Sequence, residues 1–320
     1  MNRKRLSLVL SLLLLAVVPL AGSAYYTELV TKVMILAVFA MSLDLLVGYT
    51  GLVSLGHAAS YGIGAYTLAL AAPRYDPASL WLTLGEAILA AGLASLVVGF
   101  FVVRVKGVYF LMVTLAFAQM FHFLFHDTDL GRGSDGISIS FKPVASVGGF
   151  TPFDLGNSVH AYYFVLVVLV LSYAFLRLLL RSPLGHALRG IKSNEHRMQS
   201  LGFPVLRYKL ASFTIAGALG GLAGYLSAAQ FGFVNPELFG WHQSGNVLLM
   251  LILGGLGSLT GGVVGAFAFV ALQELFQALT IHWQLPFGLA IILLVVFLPG
   301  GLASLPARLR PPHPEGPFHV

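Results

Sequence analysis

Residues 159–180, VHAYYFVLVVLVLSYAFLRLLL, run directly into RSPLGHALRGIKSNEHRMQSLGFPVLRYK at 181–209, and LASFTIAGALGGLAGYLSA at 210–228 returns to apolar sequence. Each flank has about the 20 apolar residues that a helix needs to cross a bilayer. The stretch between them carries six basic residues against one acid, Glu195. Apolar span, basic connector and second apolar span together mark a polytopic membrane protein.

The rest of the chain repeats this alternation. Its 320 residues are 58% hydrophobic and 9% charged, with 36 glycines, and mean hydropathy is +0.87. Ten spans are expected, at about 6–22, 30–47, 58–72, 80–103, 107–125, 159–180, 210–228, 247–259, 261–281 and 285–299. The third, eighth and tenth are short, and irregular spans survive only where protein or a water-filled cavity satisfies the backbone. The predicted fold is therefore all-α and integral to the membrane. About ten helices, some short or glycine-broken, make one transmembrane domain over 1–300, with a tail at 301–320.

A net charge of +6 would suggest nucleic acid in a soluble protein, but here the bases sit in alternate loops. Arg3, Lys4 and Arg5, then Arg104 and Lys106, then 181–209, then Arg308 and Arg310 all fall on one side of a ten-span chain. By the positive-inside rule that side is cytoplasmic, with both termini. The opposite loop, 126–158, holds Asp127, Asp129, Asp135 and Asp154 against Arg132 and Lys142, and is predicted to be periplasmic. No nucleic-acid partner is expected. Residues 1–24 also fit a cleaved signal peptide, with a basic start, an apolar core and Gly22-Ser23-Ala24. A retained span is the preferred reading.

Within 181–209 the signals are helical. Ser182 and Pro183 read as an N-cap and first helical position, followed by Leu184, Ala187, Leu188 and Ile191 at helical spacing. A second helix starts near Ser193 or Asn194, carries Met198 and Leu201 on one side, and stops at Gly202 before Pro204. Such a basic knuckle either offers itself to the groove of a soluble partner or lies on anionic lipid headgroups.

Two glycine-rich stretches form a weak internal repeat, GYTGLVSLGHAASYGIGAY at Gly48–Tyr66 and GGLGSLTGGVVGAF at Gly254–Phe267. Gly48, Gly51 and Gly56, with Gly254, Gly255 and Gly257, mark either broken helices beside a translocation path or close helix packing in lipid. The two readings are compatible. Ser54 and His57 share the first stretch and join the candidate path residues.

Enzyme signatures are mostly absent. Gly185 and Gly190 have P-loop spacing, but Ile191-Lys192 follows where Lys-Ser/Thr is required. No HExxH or GxSxG occurs, and with no cysteine there are no thiolate metal sites or disulfides. Ser54, His57 and Asp44 could be imagined as a hydrolytic triad, although Ser and His in a glycine-rich bend more often serve the backbone. Asp44, Glu86, Glu274 and His57 are ionisable groups inside spans. Either they relay protons for an ion-coupled carrier, or they satisfy structural partners.

Four separated stretches carry a resemblance: Leu45–Tyr66, Gly131–Ile137 (GRGSDGI), Arg181–Gly224 and Val247–Gly265 (VLLMLILGGLGSLTGGVVG). In this order, over roughly 30–300, they resemble the high-affinity branched-chain amino acid permeases of bacterial ABC importers, and among these the M-type subunit of the Liv system. The resemblance places a degenerate coupling motif on Asn194, Glu195, Ser200, Leu201 and Gly202, within an ATPase-coupling element that includes Ser182, Leu188 and Met198. Met198 and Gln199 replace small residues often found there, and Arg132 interrupts a usual run of glycines.

The resemblance implies an inner-membrane importer of branched-chain amino acids. A sister permease, two cytoplasmic ATPases that bind ATP and Mg, and a periplasmic amino acid-binding protein would complete it. This chain would bind no cofactor or metal and would contact membrane lipid. The alternatives are an ion-coupled secondary transporter and an ABC importer of urea or short amides.

Overall fold

A computed structural model of the protein describes residues 15–73, 76–145 and 154–305. The helix α1, Ala24–Asp44, continues into a π-helical turn, Leu45–Thr50. There follow α2 His57–Ala71, α3 Leu80–Val102, α4 Val108–Asp127, β1 Ile137–Ser138, α5 Ser158–Arg181, α6 Pro183–Ser193 and α7 Glu195–Ser200. The chain continues with α8 Val205–Phe231, β2 Phe233–Val234, α9 Trp241–Gly254, α10 Leu259–Leu279 and α11 Gln284–Phe297.

Seven stretches among the described residues are helical, long and apolar enough to cross a membrane: Ala24–Thr50, Leu80–Val102, Val108–Asp127, Ser158–Arg181, Val205–Phe231, Leu259–Leu279 and Gln284–Ser304. The all-α polytopic architecture stands, but the count of ten does not follow from length. The predicted third and eighth spans are α2 and α9, of 15 and 14 residues. At 1.5 Å per residue these cover about 22 and 21 Å, short of the ~30 Å hydrocarbon core. The predicted first span, 6–22, lies mainly outside the described residues. So does most of the 301–320 tail.

The boundaries of α9 also differ from those expected. It starts six residues early, at Trp241, and stops at Gly254 rather than 259. Its first turns, WHQSGN, are too polar to read as a span. The stop is set by Gly255 at φ 108°, a conformation closed to residues with a side chain.

Helices α1 and α8 are the most buried spans, whereas α4 and α11 are mostly exposed. Large apolar side chains such as Leu178, Leu285 and Phe297 face outward, as hydrocarbon surroundings permit. In lipid there is little hydrophobic drive between helices, so close packing has to supply the contact energy. The α2–α8 contact shows how: a Cβ at Gly64 would overlap the Gly221 carbonyl, and one at Gly224 the Tyr61 carbonyl.

The two short helices start at one level. Gly56 abuts the Thr114 backbone, and His57 lies beside Gly220, so α2 begins near the midpoints of α4 and α8. The Ala58 N–H donates to Ser244 Oγ at 2.9 Å, which places the start of α9 at the same depth. From there α2 runs toward the side where Ile137 pairs antiparallel with Val234. Helix α9 runs the other way, toward the end of α1 and the α6–α7 hairpin.

Candidate functional site

The hairpin forms where the sequence expects, with one change of partner. Ser182 stands at the N-cap position and Pro183 opens α6, but the serine hydroxyl donates back to Leu179 O at 2.6 Å and caps nothing. Gly185, Ala187, Leu188 and Ile191 are buried. The apolar stripe of α6 is thus spent on the protein's own membrane body, and Leu188 is core rather than surface. Asn194 does cap α7, its Oδ1 accepting from Arg197 N at 3.0 Å. At the other end Gly202, at φ 83°, closes a Schellman turn: Gly202 N–H donates to Gln199 O and Phe203 N–H to Met198 O. Met198 folds over Gly190, where a Cβ would lie 2.8 Å from its sulfur, and holds the two helices together. Leu201, Phe203 and Leu206 remain exposed.

Glu195 faces inward. Its Oε2 accepts from Lys209 Nζ at 2.9 Å and its Oε1 pairs with Lys106 Nζ at 3.1 Å. Lys209 is almost fully buried, with 4% of its side chain exposed. Partial burial pushes the Glu195 carboxyl up, but hydrogen bonds and charge from Lys209 and Lys106 outweigh it and hold the group below the usual carboxylate range. Glu195 therefore braces α7 against α8 and the α3–α4 connector. Sequence reasoning missed both lysines. The available signal was Lys209 itself, a lysine set directly against the apolar run at 210–228 and so in need of a partner.

The glycines of the two repeats meet at one point. Gly48 O, in the π turn, accepts from Lys192 Nζ of α6 at 2.5 Å. Asp44 Oδ1 accepts from Gly257 N at 2.9 Å, joining the end of α1 to the bend between α9 and α10. A Cβ at Gly48 would overlap that oxygen and come within 2.6 Å of the Gly257 nitrogen. Gly51 and Gly257 have φ of 80° and 78°. Gly254 packs on Gly261, and Gly255 on Gly300 at the end of α11. At Gly48, Gly254 and Gly255 backbone lies against backbone, so the packing reading describes their surroundings.

Gly56 is different. With His57, Ser60, Ser95, Thr114 and Gly217 it lines a cavity of about 20 Å³ at mid-depth, room for about one water. A drug-sized ligand needs at least roughly 300 Å³, so this cavity by itself is too small to hold one. His57 is buried beside Ser42, with Nε2 at 2.7 Å from Ser42 Oγ. Ser42 Oγ also lies 2.7 Å from Phe39 O, so its one proton serves either that carbonyl or the imidazole, according to the tautomer. Ser54 accepts from Gly56 N, and Asp44 is held by Gly257. The imagined triad is not assembled. Nor do the span acids converge: Glu86 is exposed on α3, and Glu274 accepts from Tyr25 at the far end of α1. A wider hollow of about 550 Å³ between α3 and α5, lined by Trp81, Ile88, His160, Tyr163 and Val167 among others, has no Asp, Glu, Lys or Arg in its lining.

The family described as branched-chain amino acid transport system / permease component matches residues 25–298. The chain belongs to this family. The permease is 34% identical over 322 residues to the high-affinity branched-chain amino acid transport system permease protein LivM of Escherichia coli (strain K12), covering 95% of this chain and 76% of that protein. It is also 34% identical to LivM of Salmonella typhimurium over 317 residues, 93% and 74% of the two chains. With LivH of Salmonella typhimurium, another permease protein of such a system, it shares 23% over 283 residues, 84% of this chain and 91% of LivH. No solved structure matches the permease. All four stretches that carried the resemblance fall within the matched residues.

Proposed function

We propose that this permease is one of two membrane subunits of an ATP-driven importer of branched-chain amino acids in the bacterial inner membrane. A sister permease, two cytoplasmic ATPases carrying ATP and Mg, and a periplasmic binding protein complete the machine. Both termini and the α6–α7 hairpin face the cytoplasm, on the reasoning from basic loops.

The observation that carries the coupling role is the orientation of the hairpin. A helix lying on headgroups turns its apolar face toward acyl chains. In α6 that face, with Leu188 and Ile191, is buried in protein instead. What the hairpin offers outward is α7 and the turn after it, with Arg197, Gln199, Leu201 and Phe203 exposed. This rigid knob suits a cleft on an ATPase. Ser182, Leu188, Asn194, Glu195, Met198 and Gly202 act in it as scaffold, and Leu201 as contact.

The narrowness of the mid-depth cavity supports a path between two permeases rather than through one. On this reading Gly56, Ser54 and His57 lie nearest the path, and the other glycines let helices approach. Leu, Ile and Val need no fixed charge along the way, only passing hydrogen bonds.

The test is uptake in proteoliposomes containing the whole complex, with ATP inside, binding protein and leucine outside, and an uncoupler present. The expected result is uptake that needs ATP and ignores the uncoupler. Uptake driven by an ion gradient without ATP would overturn the proposal. Displacement of leucine by urea or a short amide would shift the cargo to the competing class.

A further inference from the structure

Lys192 lies in the last turn of α6, and its ammonium leaves that helix to donate to Gly48 O at 2.5 Å. The acceptor is a carbonyl near the end of the α1–π helix, where a cation is also favoured by the helix dipole. The lysine stem packs closely over Gly51, 3.2 Å from where a Cβ would sit there. Gly48 in turn touches the hydrogen bond between Asp44 and Gly257, because a side chain at 48 would occupy its space. Asp44 is fully buried, and the charge of Lys192 acts on it. Beyond Gly257, Gly255 lies against Gly300. Lys192 thus ties the end of the hairpin helix to the end of the central span, which Asp44 joins to the α9–α10 bend, which in turn packs on Gly300 just beyond α11.

We infer that Lys192 is a positioning residue that latches α6 to this junction, so that displacement of the hairpin is delivered to the end of α1 and, through Asp44 and Gly257, to the α9–α10 bend. The inference rests on the importer reading above. Three properties fit a latch. The bond is charge-assisted, so it resists extension more than a neutral one. The rest of α6 is seated by Leu188 and Ile191, so the helix moves as a body. The receiving segments are packed backbone to backbone at glycines, so a shift at Gly48 is passed on rather than absorbed by side-chain rotation.

The experiment compares the parent complex with Lys192→Met and Lys192→Arg in proteoliposomes, reading leucine imported per ATP hydrolysed. Met keeps the stem and removes the donor, whereas Arg keeps donor and charge. Lys192→Met is expected to lower the ratio about tenfold, the order of effect of one hydrogen bond to a charged group, while ATP hydrolysis continues. Lys192→Arg restores most of it. A purely structural lysine would lower both activities together and leave the ratio alone. If Lys192→Met does not assemble, Asp44→Asn/Lys192→Met removes both charges and repeats the measurement. The parent's ratio in either Met variant overturns the latch while leaving the importer reading intact. A parent complex without ATP-driven uptake overturns both.

Discussion

Replacing Glu195 by Gln tests the brace beneath the hairpin. The carboxylate is the hydrogen-bonding partner of Lys209, whose side chain is 4% exposed, and also pairs with the exposed Lys106. A fully exposed pair contributes about 0–1 kcal/mol, and breaking a fully buried one costs about 3–5 kcal/mol. Here the cation is buried and the anion 20% exposed, so the cost lies between, at roughly 2–3 kcal/mol. Opening of the α7–α8 junction should therefore become about 30- to 150-fold more frequent, at 1.4 kcal/mol per decade. Hydrogen exchange of the amides of residues 197–203 in nanodiscs reads this directly. Glu195→Gln/Lys209→Met removes the buried charge as well and should recover much of the protection, giving a clear coupling energy in the double-mutant cycle. Because the folded carboxyl titrates below its unfolded value of about 4.3, the brace is complete above that pH and is lost as pH falls through the folded pKa. Exchange unchanged in Glu195→Gln, with additive effects in the double variant, would refute the account.

Gly48→Ala should fail as folded protein rather than as a blocked pore, since the new methyl overlaps the Asp44 oxygen and crowds Gly257 N. Overpacking of this kind costs about 1–3 kcal/mol, and a well-folded variant defective only in transport would favour a path role at 48. Asp44→Asn, Glu86→Gln and Glu274→Gln should each retain uptake that ignores an uncoupler, because an amide oxygen can still accept from Gly257 N or Tyr25; loss of transport in a folded variant would point to a proton relay. Gly202→Ala should weaken the α7 stop by about 1–2 kcal/mol, the cost of a left-handed residue with a side chain, seen as earlier proteolysis of the hairpin at 201–206.

Local signals were legible wherever one segment decided the outcome. The apolar runs at 80–103, 107–125, 159–180 and 261–281 match helices to within two residues, because hydropathy reports a solvent preference that each residue carries alone. Asn194 and Gly202 bound α7 as expected, because capping involves only neighbours in sequence. Even the knuckle at 181–209 was visible from proline, glycine and periodicity.

Tertiary structure decided which groups meet. The sequence shows Glu195 as an acid at a helix start, and only folding brings it to Lys209, fourteen residues on, and to Lys106 in another connector. The stripe of Leu188 and Ile191 was readable, but whether it faced lipid, a partner or the protein's own spans depends on how α5 and α6 are angled. The polar opening of α9 reads as loop until the Ala58 N–H is found on Ser244 Oγ. Asp44, Gly48, Lys192 and Gly257 are separated by up to 213 positions, and no periodicity links them. Hydropathy and capping are short-range properties that one sequence states for itself, whereas pairings across spans depend on the relative placement of helices, which backbone contact at glycines settles and which no single segment encodes.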